Sequence, residues 1–359
     1  MKKFFAFIFA LCIAANAFWE ISVASAGENP LDYRGSDRQE LLVNGARAEG
    51  EVVFYSALSV NQALRPVADS FIRKYPFVKL TYWRAESSSI FTKLSAEARS
   101  GKVVADVVEG TGVGELIVQA GLGQPYVTPA IEGIPVAYHD PNKIWTATRR
   151  SFFGTAYNTK LTSGADVPKT YQDLLDPRWK GRLAWHAGSA SGGNLFVTNL
   201  RMSWGDDRTR DYLSQLADQK VAPHSGSSVS LVDRVIAGEV PLALNIFAHH
   251  PLISQAKGAP TSSILMDPVA ATVGTMIVPK GIKHPHAAML LVDFILSREG
   301  QTILAGVGYF PTRKDVPTRA DIAPITDALA RLSENFVSPE SLVKYTRSSE
   351  EMISEMTGR

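Results

Sequence analysis

Four short stretches collect the residue types that can hold a small polar solute without reacting with it. They are Ser56-Ala57-Leu58-Ser59, Ser87-Ser88-Ser89, Gly188-Ser189-Ala190-Ser191-Gly192-Gly193 and Ser225-Gly226-Ser227-Ser228. Small side chains let backbone N–H groups approach a ligand, and hydroxyls add donors. Where a helix follows, its N-terminal dipole favours negative charge. A Ser-rich cap also begins many ordinary helices, so one such loop carries little weight. Four of them at strand ends carry more, because ligands of doubly wound sheets gather outside the carboxyl ends of strands. Arg84, next to Trp83 at the end of an apolar run, supplies a cation for charge-assisted bonds to an anion, or else a solvated surface charge. Trp185 can stack on a ligand or fill core, and Tyr157 can face a cleft or pack within a strand. Thr111, Asn245 and His249 complete the candidate ligand-binding set with Ser56, Ser59, Ser87, Ser88, Ser89, Ser189, Ser191, Gly192 and Ser228.

The arithmetic favours an anion. Micromolar affinity is about −8 kcal/mol, and each hydrogen bond to a charged group contributes about 1.5–3 kcal/mol. Three to five such bonds suffice for a carboxylate or phosphonate after the costs of association. The chain's net charge of +2, from 37 Lys and Arg against 35 Asp and Glu, cannot do this alone, and it speaks against a basic nucleic-acid surface. Reactive chemistry is sparse. The single Cys, Cys12, lies in the N-terminal leader, and no Gly-x-Ser-x-Gly, His-Glu-x-x-His or P-loop motif occurs. His249 and His250, read as the end of a strand, point to opposite faces, whereas zinc needs three or four convergent ligands. His139, His186, His224, His284 and His286 have no ligand spacing. No metal and no cofactor is expected.

The elements that must position these loops alternate. Val52–Tyr55, Val78–Trp83 and Ala105–Val108 read as buried strands, separated by helical patterns that follow Ser59, Ser87 and Gly114. Pro66 should kink or restart the first of these helices. A second run adds a strand near 154–158, a strand ending at Trp185, helices near 193–203, 206–217 and 228–238, and the strand 241–247. A strand at 275–278 and a helix at 286–297 follow. This is the grammar of a doubly wound α/β protein. Lys2 and Lys3, the uncharged run Phe4–Phe18 and Ala24-Ser25-Ala26 read as a cleaved signal peptide over residues 1–26. No later run is long and apolar enough to cross a membrane.

Several segments, in order, resemble the bacterial extracellular solute-binding proteins of the ferric-iron-like class of ABC importers. They are Glu49-Gly50-Glu51-Val52-Val53-Phe54-Tyr55-Ser56, Ala105-Asp106-Val107, Ala156-Tyr157-Asn158-Thr159 and Leu175-Asp176-Pro177-Arg178-Trp179-Lys180-Gly181-Arg182. Ala237-Gly238-Glu239-Val240-Pro241-Leu242-Ala243, His284-Pro285-His286-Ala287-Ala288, Ser297-Arg298-Glu299-Gly300-Gln301 and Pro311-Thr312-Arg313-Lys314-Asp315 continue the match. The resemblance implies a two-lobed periplasmic binding protein of type II, each lobe a doubly wound sheet, with ligand in the cleft between them. It places residues 27–48 as an N-terminal arm and helix, 49–152 plus 269–315 as lobe 1, 153–268 as lobe 2, and 316–359 as C-terminal helices packing on lobe 2.

It further implies a monomeric periplasmic protein, not an enzyme, that captures a small solute and delivers it to an inner-membrane permease with its ATPase. A ligand-reporting sensor or an exported enzyme on the same scaffold are the alternatives of other classes. Ferric members of the family hold their metal with adjacent tyrosines in a segment that here reads Ala243-Leu244-Asn245-Ile246-Phe247-Ala248-His249-His250. Phe247 and Ala248 are not phenolates, so a ferric carrier would need other ligands, with Tyr157 and Tyr309 the phenols best placed.

Overall fold

The computed structural model describes residues 29–187 and 190–357; the leader 1–26, Ser189 and the side chain of Ser191 lie outside the described residues. The chain starts with α1 (Arg38–Glu49), closed by Gly50 at φ 74°, a left-handed conformation that a Cβ disfavours. It continues through β1 (Glu51–Ser56), the turn Val60–Leu64, α2 (Arg65–Lys74), β2 (Lys79–Arg84), α3 (Ser87–Arg99), β3 (Val107–Thr111) and α4 (Gly114–Gln119). Pro66 sits in the first turn of α2, where its missing N–H costs no bond, so the chain restarts there as a helix.

Beyond these come β4 (Gly123–Gln124), β5 (Trp145–Asn158), β6 (Leu183–His186), α5 (Leu195–Trp204), α6 (Asp206–Asp218), β7 (Ala222–His224), α7 (Ser228–Ile236) and β8 (Leu242–Phe247). The last elements are α8 (His249–Gln255), β9 (Thr261–Ile264), β10 (Val269–Pro279), α9 (Pro285–Leu296), α10 (Arg298–Gly306), α11 (Ala323–Leu329), β11 (Glu334–Phe336) and α12 (Pro339–Thr357).

Among the described residues these strands join one mixed sheet in the order β2-β1-β3-β10-β5-β8-β6-β7, with β4 and β11 on β10 and β9 on β5. At one end β1 lies parallel between β2 and β3; at the other β6 lies parallel between β7 and β8. The two ends are joined by antiparallel strands. Residues 145–152 of β5 pair with β10, and residues 153–158 pair with β8 and β9. One strand thus passes from the first half of the molecule to the second. The reading of 154–158 as a separate strand therefore caught only its second half, because the Arg149-Arg150 pair interrupts the apolar run.

Apolar layers cover both faces of each half. Leu42, Phe54, Phe71, Phe294 and Leu290 pack on one face of the first half, and Tyr55, Ile90, Leu94 and Ile117 on the other. Trp185, Phe196, Leu213 and Met352 pack on one face of the second half, and Leu231, Val235 and Ile246 on the other. The segment after Val316, read from sequence as helices alone, also supplies β11, which extends the sheet beside β10. Its final helix α12 packs on α5 and α6 and also touches α4 of the first half. Trp145 Nε1 donates to Glu340 Oε1 at 3.0 Å, tying the start of α12 to β5.

Candidate functional site

Parallel pairing fixes where the loops emerge. Ser56 sits opposite Arg84 and opposite Glu109, so β1, β2 and β3 all release their chains at one edge of the first half. In the second half His186 pairs with His224 and Trp185 with Leu244, so β6, β7 and β8 likewise end together. The two edges face each other across a cleft. From the first half it is lined by Ala57, Ser59, Arg84, Glu86, Ser87, Thr111, Arg149 and Tyr309. From the second come His186, Ser227, Ser228, Val229, Phe247 and His250. Its free space is about 60 Å³, room for a few waters or one small anion. The starts of α3 and α7, one from each half, meet there. Ser87 Oγ donates to the Thr111 carbonyl at 2.7 Å, and Ser228 Oγ accepts from the Phe247 N–H at 3.2 Å, so each helix start is pinned to the neighbouring strand end.

Arg149 is the centre of the cleft's electrostatics. It is 3% exposed and pairs with the Glu109 carboxylate, while Nη2 donates to Thr111 Oγ1 at 3.2 Å. Glu109 also accepts from Ser56 Oγ at 2.8 Å and Thr148 Oγ1 at 3.0 Å. The guanidinium lies 5.1 Å from the Tyr309 ring centre, and a Cβ at Gly274 would collide with it. Its Nε has no hydrogen-bond partner. Arg84 pairs with Glu86 at 2.6 Å at the rim.

Both histidines of the cleft are held neutral. Burial lowers the His186 pKa, and burial followed by repulsion from Arg149 and His186 brings His250 down to about 3. The cleft thus holds one buried guanidinium in an ion pair, neutral imidazoles and several hydroxyl groups. Among the described residues no group of three or more His, Cys, Asp or Glu is placed to hold a metal ion.

Residues 104–339 match the family model described as "Bacterial extracellular solute-binding protein". The chain belongs to this family. Among curated relatives it is 28% identical over 277 residues to an uncharacterized protein of Haemophilus influenzae, covering 73% of this chain and 78% of that one. It is 26% identical over 313 residues to the Fe(3+)-binding periplasmic protein of Serratia marcescens, covering 81% and 90%. Among solved structures, iron-bound HitA from Pseudomonas aeruginosa superposes with a TM-score of 0.73 at 22% identity, covering 85% of this chain and 99% of that one. The periplasmic binding protein AfuA from Actinobacillus pleuropneumoniae, with exogenous fructose-6-phosphate bound, gives 0.71 at 22%, covering 86% and 97%. The α/β fold expected from sequence is the one observed, and its neighbours are two-lobed periplasmic binding proteins.

In this extracellular solute-binding protein, Ser59, Arg84, Ser87, Thr111 and Ser228 of the sequence-based set line the cleft. Ser56 lies beneath it as a support for Glu109. Ser88 faces a neighbouring chamber instead, and Ser89 lines neither space. Trp185 is core, 1% exposed and edge-on to Phe196, with one edge reaching that chamber. Tyr157 packs against the second-half core, away from the cleft. Asn245, at φ 56°, donates to the carbonyls of His186 and Gly192 and so shapes the loop after β6; Gly192 serves as its acceptor. His249 is wholly buried beside Tyr309, with ring centres 5.0 Å apart, and its neighbour His250 lines the cleft in its place.

The two histidines begin α8 and do not end a strand, so the expected opposite facing fails and their rings lie 4.4 Å apart. Sequence reasoning left Arg149, Glu86, His186, Ser227, His250 and Tyr309 out of its ligand set. A cation in an otherwise buried run was the available signal for Arg149.

Proposed function

We propose that this chain is the periplasmic solute-capture component of an ABC importer, closing its two lobes on a small anion and presenting it to a membrane permease. The observation that carries the reading is the convergence of the Arg149 guanidinium and two helix starts from opposite halves on one small cleft. The neutral histidines and the Ser59, Ser87, Thr111 and Ser228 hydroxyls add neutral donors around it. Nothing in the cleft pairs a nucleophile with a base, so binding without turnover is the activity these groups support. Export of the chain rests on the N-terminal leader and on its periplasmic relatives.

Titration calorimetry with inorganic phosphate, sulfate and small carboxylates tests the proposal. At least one should bind with micromolar affinity and a stoichiometry of one. Failure of all of them, with tight ferric binding instead, overturns it.

A second reading, ferric ion held together with an anion, is favoured by Tyr309 and Glu86 lining the same cleft as His250. The Serratia marcescens relative is named for Fe(3+) binding. It predicts a visible phenolate-to-iron absorption band on adding ferric citrate, which the anion reading does not.

A further inference from the structure

The charges that reach the cleft are balanced in pairs. Arg149 is paired with Glu109, and Arg84 with Glu86 at 2.6 Å. The histidines that the second half brings to the cleft, His186 and His250, are neutral. Two cations against two carboxylates leave no excess positive charge for an entering anion to meet. Such an anion relies on hydrogen bonds, from the hydroxyl groups and from the starts of α3 and α7. The chamber beyond Ser88, walled by α12, is no alternative seat. Among the described residues its lining holds the carboxyls of Glu115 and Glu350 and no Lys, Arg or His.

One group on the cleft wall asks for a donor. The Glu86 side chain, half-buried, lines the cleft from the residue just before α3. Its Oε1 accepts from Arg84 Nη2, and no other hydrogen bond reaches the carboxylate among the described residues. It faces the second half: burial lowers the His186 pKa, and the Glu86 charge opposes that shift from across the cleft. A carboxylate accepts and cannot donate. The hydroxyls near it can donate. Ser228 Oγ already accepts from the Phe247 N–H, which leaves its own O–H for a ligand, and Ser59 adds another. A bare oxyanion satisfies these donors but sets a like-charged acceptor against Glu86. An oxyanion that retains a proton satisfies both.

We propose that Glu86 is the specificity-determining residue of the cleft, accepting a hydrogen bond from an oxyanion that keeps an O–H at neutral pH and excluding oxyanions that have lost every proton. The proposal rests on the anion reading above and adds what selects among anions. Hydrogen phosphate falls inside the class; sulfate and simple carboxylates fall outside it. A polar group placed to pair with a ligand hydroxyl rejects the analogue that lacks one, because it is then left without a partner. Here the repulsion between two negative charges adds to that loss.

The test is titration calorimetry at pH 7 with inorganic phosphate and inorganic sulfate, on the full mature chain and on Glu86→Gln. The wild type should bind phosphate at least about tenfold more tightly than sulfate. Glutamine keeps the shape at a half-buried position and can turn its NH2 group to either anion. The preference should therefore fall to about twofold in the variant, chiefly because sulfate gains. Loss of the pairing with Arg84 by itself moves both anions together, so the ratio of the two affinities reads the role of Glu86 and neither affinity alone does. Sulfate bound by the wild type as tightly as phosphate, or a preference for phosphate that survives unchanged in Glu86→Gln, would overturn the proposal and leave the anion cleft standing. If neither anion binds either protein, the anion reading itself fails and this proposal falls with it.

Discussion

Glu115→Gln should abolish a large part of the pH dependence of stability. The Glu115 carboxyl is pushed from the ordinary 4.5 to about 8, chiefly by burial and further by the charge of Glu340. A carboxyl raised in the folded state contributes fully below about pH 4.5, and the contribution is lost as pH climbs towards 8, because the unfolded chain ionises first. One proton over this window changes stability by at most about 1.36 kcal/mol per pH unit, and by about 3.5 kcal/mol between pH 5 and pH 8, where the ends of the range are only partly titrated. That is a sizeable share of the 5–15 kcal/mol typical of a folded domain. Glutamine keeps the shape but cannot ionise. Its extra N–H group adds an offset that does not vary with pH, so the slope is diagnostic and the offset is not. Urea unfolding followed by circular dichroism at pH 5, 6, 7 and 8 measures both proteins. The wild type should lose about 3.5 kcal/mol relative to the variant across the range. A wild-type-minus-variant difference that stays constant with pH would refute the buried neutral acid.

Arg84→Ala should weaken phosphate binding about 10- to 100-fold by removing a charge-assisted donor, while the melting temperature barely moves, because its pairing with Glu86 is half exposed. Glu109→Gln should lower the stability of the free protein by about 3–5 kcal/mol, since it leaves Arg149 buried without its counter-charge. The same variant should show a larger phosphate-induced rise in melting temperature than the wild type, read by differential scanning calorimetry. Ser227→Ala should cost about 1 kcal/mol in urea unfolding, because its Oγ accepts from the Ser230 N–H at 3.1 Å and caps α7.

The alternation of apolar runs and serine caps was enough to read the fold class and four of the strand-end loops, because parallel strands and helix starts are specified locally. The cleft's charged interior depends on register, which is not local. Arg149 and Arg150 are adjacent in β5, so their side chains leave opposite faces of the sheet. Only the pairing of β5 with β10, and of β10 with β3, brings Arg149 across Gly274 to Glu109, while Arg150 goes to Glu334 on β11 at 2.9 Å. His249 and His250 show a different failure. Read as a strand end they alternate; as the first residues of α8 they are about 100° apart, which buries one and brings the other to the cleft. Ser88 and Trp185, chosen for the right loops, miss the cleft because α3 turns Ser88 one residue past its edge and β6 aims Trp185 into the core. The wall supplied by α12 comes from the far end of the chain, beyond any pattern local to the loops.

The most direct measurement is a crystal structure of the mature protein grown with inorganic phosphate. The account predicts a phosphate between the starts of α3 and α7, accepting from residues of both halves. An empty cleft with phosphate bound elsewhere, or a metal ion ligated by Tyr309 in its place, would contradict it.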